Sequence, residues 1–174
     1  MYFKSIGDDT RIDSLAQITR PHLVELGNHV AIDNIYCSTA MKIGDYVHIA
    51  YSVCIIGGLN SLLIMDHFSG VSANSSIVCA GDDFTKGMMN PQIPLEYRHI
   101  INEPVVFKKF ACVGVGCTVM PGVTLAEGSV VGSNSVVTKN TVPWGIYAGC
   151  PAKLISWREP ELILHGAKEL GYDV

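Results

Sequence analysis

From residue 107 to residue 142 the hydrophobic positions recur with a period of six. Cut into sixes, the stretch reads FKKFAC, VGVGCT, VMPGVT, LAEGSV, VGSNSV, VTKNTV. The first position holds Phe107, Val113, Val119, Leu125, Val131 and Val137, always large and apolar. The fifth holds Ala111, Cys117, Val123, Ser129, Ser135 and Thr141, always small or β-branched. An amphipathic helix repeats every 3.6 residues and a half-buried strand every two, so neither produces this period. An antiparallel β-sandwich would show irregular strand spacing instead. A strict period of six is the signature of a parallel β-helix, in which each unit makes one short strand and one tight turn. Three units close a triangular coil, and equivalent positions stack from coil to coil, so several units bury a core that one cannot. Gly122, Gly128, Asn134 and Asn140 fall near the turns, where their backbone freedom is useful.

The pattern extends backwards with interruptions. IGDDTR, IDSLAQ, ITRPHL, VELGNH and VAIDNI run from Ile6 to Ile35, and one extra residue shifts the frame near Tyr36. It resumes at Ile43 and Ile55, and four inserted residues, Ser61 to Ile64, precede its return at Met65. The largest interruption, from Asp83 to about Val106, carries three prolines and no six-residue rhythm. Such an excursion from a rigid scaffold is expected to be a functional loop. Beyond Val142, apolar Leu162, Ile163, Leu164, Ala167 and Leu170 fall at helical intervals. The spacing predicts a C-terminal helix over 158–170 that caps the last coil and covers its open strand ends. The chain is thus expected to be all-β: a β-helix domain over 1–157 with loop 83–106 protruding, then a C-terminal helical segment over 158–174.

Composition narrows the function. The 174 residues suit one domain; 48% are hydrophobic and only 16% charged, which suggests that outer faces are covered by oligomerisation. The net charge of −4 argues against nucleic acid or an anionic membrane as partner. No apolar run reaches membrane-spanning length and MYFKSIGDDT lacks a signal-peptide core, so a cytoplasmic protein is expected. The six cysteines show no CxxC spacing and read as reduced thiols serving as small hydrophobes.

The run VMPGVTLAEGSVVGSNSVVTKNTVPWGIYAGCPAKLI resembles the C-terminal coils of the left-handed β-helix acyltransferases. HIAYSV, FSG, AGDDFTKG and WGIYAGCPAK further resemble enzymes that acetylate dTDP-amino-dideoxyhexoses. The resemblance implies a left-handed coil, exceptional among crossover connections, and a homotrimer with its sites between subunits. It implies acetyl-coenzyme A as donor and no metal. Gly114, Ser133, Thr138, Lys139 and Lys153 align with coenzyme-contacting positions, the last beside phosphate. Lys139 also reads simply as a solvated turn residue. The protruding loop would wall a neighbouring subunit's site, with Lys86, Tyr97 and Arg98 facing ligand, or would only cement the oligomer.

Galactoside-type members of this superfamily carry a general-base histidine just after the coil that precedes the long loop. Here that point reads AGDDF, with Asp82 and Asp83. A sugar hydroxyl must lose its proton as it attacks, which calls for a base poised near neutrality. An amine with a pKa near 8 is already partly neutral and nucleophilic. The carboxylates therefore favour an amine, and the resemblance implies that this amine belongs to a dTDP-3-amino-3,6-dideoxyhexose or its 4-amino isomer, with a product destined for a surface glycan. Asp82 is expected to meet the amine with His48 in support; Asp83, His67, Asn74 and Arg98 would hold sugar or diphosphate. His29 and His48, both in sixth positions, are expected to point outward and stack on one face. His48 reads equally as a hydrogen-bonded interface histidine. Two alternatives stand: a sugar or polysaccharide O-acetyltransferase using His48, His67 or His99 as base, and, more distant, a zinc lyase, which would need three converging histidines, or a non-catalytic β-helix scaffold.

Overall fold

The computed structural model describes residues 2–174. The chain winds as a left-handed parallel β-helix of about seven turns with one short C-terminal helix. Its three faces are parallel sheets of two- to four-residue strands. The first face runs through Ser5–Ile6, Val24–Leu26, Ala40–Ile43, Leu62–Met65, Val105–Phe107 and Thr124–Leu125. The second runs through Arg11–Ile12, Ala31–Ile32, His48–Ile49, Gly70–Val71, Cys112–Val113, Val130–Val131 and Gly145–Ala148. The third runs through Gln17–Ile18, Tyr36–Cys37, Cys54–Ile56, Ser76–Val78, Thr118–Val119 and Val136–Val137.

The six-residue template identifies the interior of the later coils. All six of its first-position side chains from Phe107 to Val137 are buried, and so are its six fifth-position side chains. The latter include Ser129 and Thr141, which satisfy each other by a 2.9 Å hydrogen bond inside the prism. Burying a hydroxyl is tolerable only with such a partner.

The earlier coils depart from the expected frame at two turns. The 3₁₀ turn Pro21–Leu23 adds two residues, so Leu26 rather than Val24 pairs with Ile6. Ile32 then occupies the position given to Val30, and Cys37 follows after only five residues. The insertion placed at 61–64 lies instead at Gly57–Asn60, because Leu62–Met65 is a strand of the first face. Ser61 anchors the loop's end through its hydroxyl, 2.6 Å from Thr39 Oγ1.

The shifted frame separates two of the histidines. His48 sits in the second face, paired with Ala31 and Gly70. His29 lies in the preceding turn with φ 54°, so the two do not stack. His29 belongs to a different column. Asp9, His29, Tyr46, Phe68, Phe110 and Trp144 all take positive φ along one edge. Bulky residues rarely adopt that conformation, and here the rings stack: His29 on Tyr46 at 4.5 Å, Tyr46 on Phe68 at 5.2 Å, and Phe68 on Phe110 at 5.2 Å between centroids.

The C-terminal helix forms at Glu161–Glu169 but does not cap the last coil. The strand Lys153–Trp157, antiparallel to Gly145–Ala148, covers the end of the second face instead. The remaining chain returns along the aromatic edge. Arg158 donates to the carbonyls of Phe110 and Gly128, and Tyr172 packs edge-on to Tyr46 and Phe68. Among the described residues no helix is long and apolar enough to cross a membrane.

Candidate active site

The excursion after the fourth coil is an antiparallel hairpin rather than an irregular loop. Ala80–Gly87 pairs with Arg98–Asn102, and a 3₁₀ turn at Leu95–Tyr97 precedes the return strand. Alternation within Ala80–Gly87 is broken by a bulge between Asp82 and Gly87, which is why no strand period is visible there. Asp82 stands at the root of this hairpin. Its Oδ1 accepts from Arg98 Nε at 2.9 Å and from Nη2 at 2.7 Å. Both side chains are largely buried, at 14% and 12% exposure.

The neighbouring Asp83 turns to its own strand. Its Oδ1 accepts from Thr85 N at 2.8 Å and from Thr85 Oγ1 at 2.7 Å. The Thr85 hydroxyl, then its N–H, holds the Asp83 carboxyl below the ordinary range, with Lys86 and His99 adding to the effect. His99 Nε2 lies 3.8 Å from Asp83 Oδ2. Beside the two aspartates opens a cavity of about 250 Å³ walled by Val78, Phe84, Ile101, Met120 and Pro121. Lys86 and Tyr97 lie farther out on the hairpin, both exposed.

His48 lies on the second face, away from the hairpin of its own chain. Its Nε2 is 3.0 Å from Asp33 Oδ2, and the imidazole is 57% exposed. It borders an open cleft of about 540 Å³ that also holds Arg11, Asp13, Asp33 and Tyr46. On its other side a smaller cavity of about 210 Å³ contains Ser72 and Cys112. Asp82 and His48 are therefore not brought together within one chain.

His67 is engaged elsewhere. Its Nδ1 accepts from Asp45 N at 2.9 Å, which puts the proton of the neutral ring on Nε2. Asn74 is exposed in a turn with φ 59°, a conformation that asparagine adopts readily.

The expected coenzyme positions fall into two rows flanking the third face. Gly114 and Ser133 lie on the edge before it and pack so closely that a Cβ on Gly114 would stand 2.8 Å from Ser133 N. Thr138 and Lys139 lie on the edge after it, exposed, and Lys153 opens the final strand, also exposed. Lys139 and Lys153 thus each carry an accessible ammonium group, the kind of point charge that can pair with a phosphate. Among the described residues no three of His, Cys, Asp and Glu converge as a metal site requires.

No family model matches the chain. It is 32% identical over 168 residues to the dTDP-4-amino-4,6-dideoxy-D-glucose acyltransferase of Escherichia coli, covering 94% of this chain and 86% of that one. The putative lipopolysaccharide biosynthesis O-acetyl transferase of the same species is 32% identical over 126 residues, of which this chain spans 59% of the length. Among solved structures, the N-acyltransferase AntD of Bacillus cereus superposes with a TM-score of 0.92 at 30% identity, over 97% of this chain and 92% of that one. AntD has been solved with dTDP and coenzyme A, and with 3-hydroxybutyryl-coenzyme A. Its solved variants replace an aspartate, or a serine ten positions before it. A galactoside acetyltransferase superposes at 0.60 with 15% identity and 91% and 67% coverage, a likeness of fold alone. Coiled repeats and whole-length relatives agree: the chain belongs to the hexapeptide-repeat acyltransferases, in the group that contains the nucleotide-amino-sugar N-acyltransferases.

Proposed function

We propose that the chain transfers an acetyl group from acetyl-coenzyme A to the amine of a dTDP-4-amino-4,6-dideoxyhexose. It would act as a cytoplasmic homotrimer and supply a surface glycan. The observation that carries this reading is the near full-length similarity to a dTDP-4-amino-4,6-dideoxyglucose acyltransferase. That similarity also favours the 4-amino isomer over the 3-amino one. Asp82, where a hydroxyl-directed enzyme needs a base such as histidine, adds a chemical reason. Ser72 stands ten residues before Asp82, the spacing of the serine and aspartate replaced in AntD, and it becomes a further candidate that the repeat pattern alone did not reveal.

The amine lone pair attacks the thioester carbonyl carbon. Backbone N–H groups of the groove take the charge that develops on oxygen. As the carbon–sulfur bond breaks, the nitrogen yields a proton to Asp82, and Asp82 returns that proton by way of solvent to the departing thiolate, leaving an amide, free coenzyme A and the restored carboxylate. Gly114, Ser133, Thr138, Lys139 and Lys153 hold the donor. The apolar cavity beside Asp82 suits the methyl group of a 6-deoxy sugar. Asp82 on one chain and His48 with Ser72 on another would complete the site across a subunit boundary, which supports the trimer.

One feature favours the O-acetyltransferase reading. The exposed His48 imidazole beside Asp33 has the arrangement of an oriented base. Asp82→Asn and His48→Asn separate the two. The proposal expects Asp82→Asn to lower kcat on the dTDP-4-amino sugar by roughly 10²–10⁴-fold, the usual worth of an acid–base group, and His48→Asn by less than about tenfold. The reverse ranking would return the function to a histidine base.

A further inference from the structure

Asp82 and Arg98 reach each other through an irregularity of the hairpin. Asp82 pairs with Ile100 and Gly87 pairs with Arg98, so five steps of one strand face two steps of the other. The extra residues belong to the bulge whose turn Asp83 secures through Thr85. Without that bulge Arg98 would sit beside a different partner.

Arg98 places both donors on a single carboxylate oxygen. Nε and Nη2 converge on Oδ1 at 2.9 and 2.7 Å, while among the described residues no hydrogen bond is made to Oδ2. A guanidinium commonly grips both carboxylate oxygens as a fork. Here the grip saturates one oxygen, fixes the rotation of the carboxylate, and leaves the other without a protein partner. The carboxylate also lines the apolar cavity, where little else competes for the free oxygen.

We propose that Arg98 is a positioning residue: it holds Asp82 by Oδ1 so that Oδ2 is presented to the acceptor amine. This rests on the reading of Asp82 as the amine's partner, and it replaces the expectation that Arg98 grips sugar or diphosphate. Arg98 acts through Asp82 and need not touch substrate. A lysine offers one compact ammonium and cannot reproduce two donors fixed on one oxygen.

Steady-state kinetics with acetyl-coenzyme A and dTDP-4-amino-4,6-dideoxyglucose test this. The variants are Arg98→Lys, Arg98→Gln, Asp82→Asn and the Asp82→Asn/Arg98→Gln double variant, each first checked for a cooperative thermal melt. The expected result is a kcat about 100-fold lower in Arg98→Gln, the scale of a misplaced reacting group. Acceptor KM should stay within about twofold, and Arg98→Lys should recover part of the loss. The double variant should be no slower than Asp82→Asn, because the two residues act as one unit. A raised acceptor KM with kcat intact, or additive losses in the double variant, would overturn the positioning role. A wild-type rate in Asp82→Asn would instead defeat the reading of Asp82 itself, whatever Arg98 does. Should Arg98→Gln not fold, the split between kcat and KM in Arg98→Lys decides the matter alone.

Discussion

Gly128 shows how tightly a single position is tied to the coil above it. It lies in the aromatic turn column at φ 67°, and a Cβ there would overlap the Trp144 ring. Left-handed backbone costs an L-residue roughly 1–2 kcal/mol, and overpacking adds about 1–3 kcal/mol. Gly128→Ala is therefore expected to lose about 2–5 kcal/mol in a denaturant melt; a loss of only about 1–2 kcal/mol, the backbone cost alone, would show that the indole simply moves aside. Gly128 was legible as a turn residue from the hexapeptide count. The same fourth-position count reaches Phe110, three residues before Val113, but nothing in local propensity suggests an aromatic ring in a left-handed turn. Stacking with Phe68 and Trp144 overrides the backbone preference, and stacking is visible only once the coils are in register. The buried cysteines fit their expected part as small hydrophobes: burial pushes the Cys37 thiol up to about 11 and Cys79 up to about 12.

Whole elements were legible where the six-residue rhythm is unbroken and obscure where turns change length. Phe107 to Val137 follow from counting because each turn there has the same size. Counting in sixes misplaces Val24 and Val30 because the Pro21–Leu23 turn adds residues that no hydrophobic position marks. Asp82 and Arg98 were both singled out, but their pairing was not, since sixteen residues and a bulge separate them. The apolar spacing of the C-terminal segment predicts its helix but not the surface that the helix meets, because one apolar stripe suits either the coil end or the aromatic edge. Its anchor is Tyr172, whose hydroxyl donates to Asp45 Oδ2 at 2.7 Å.

Burial alone would raise the Asp45 pKa, but Tyr172, Asn28 N–H and His67 outweigh it and hold the carboxyl below its usual range. The Asp45 carboxylate in turn pushes Tyr172 up to about 12. A depressed acid stabilises the fold above its ordinary value near 4 and loses that contribution as pH falls below it. A raised tyrosine stabilises below its ordinary value near 10 and loses it as pH climbs towards 12. Tyr172→Phe is expected to cost about 1 kcal/mol near pH 7, a fall of about 2–4 °C in Tm. The gap should narrow at both pH extremes. A gap that stays constant from pH 3 to 11 would remove the pair as its cause.

At the scale of the molecule, one prism does not by itself bring together all the residues proposed for the site. Asp82 and the hairpin lie off the third face, whereas His48 lies on the second and Ser72 on the turn just after its strand Gly70–Val71. The hairpin also carries Phe84, Met88, Met89, Leu95 and Tyr97 exposed, an apolar arm that a neighbouring prism would cover. A subunit boundary is the part of the account least legible in one sequence, because a repeat pattern reports what stacks within a coil and not what meets outside it. The low charge content pointed to oligomerisation without saying which faces meet.

The proposed acceptor is an amine on a nucleotide-linked dideoxy sugar. The most direct test measures release of free coenzyme A thiol from acetyl-coenzyme A against paired acceptors. These are dTDP-4-amino- and dTDP-3-amino-dideoxyhexoses, UDP-amino sugars and hydroxyl-bearing sugars. Turnover confined to the dTDP-4-amino sugar is the predicted result. Turnover on hydroxyl acceptors alone would contradict it.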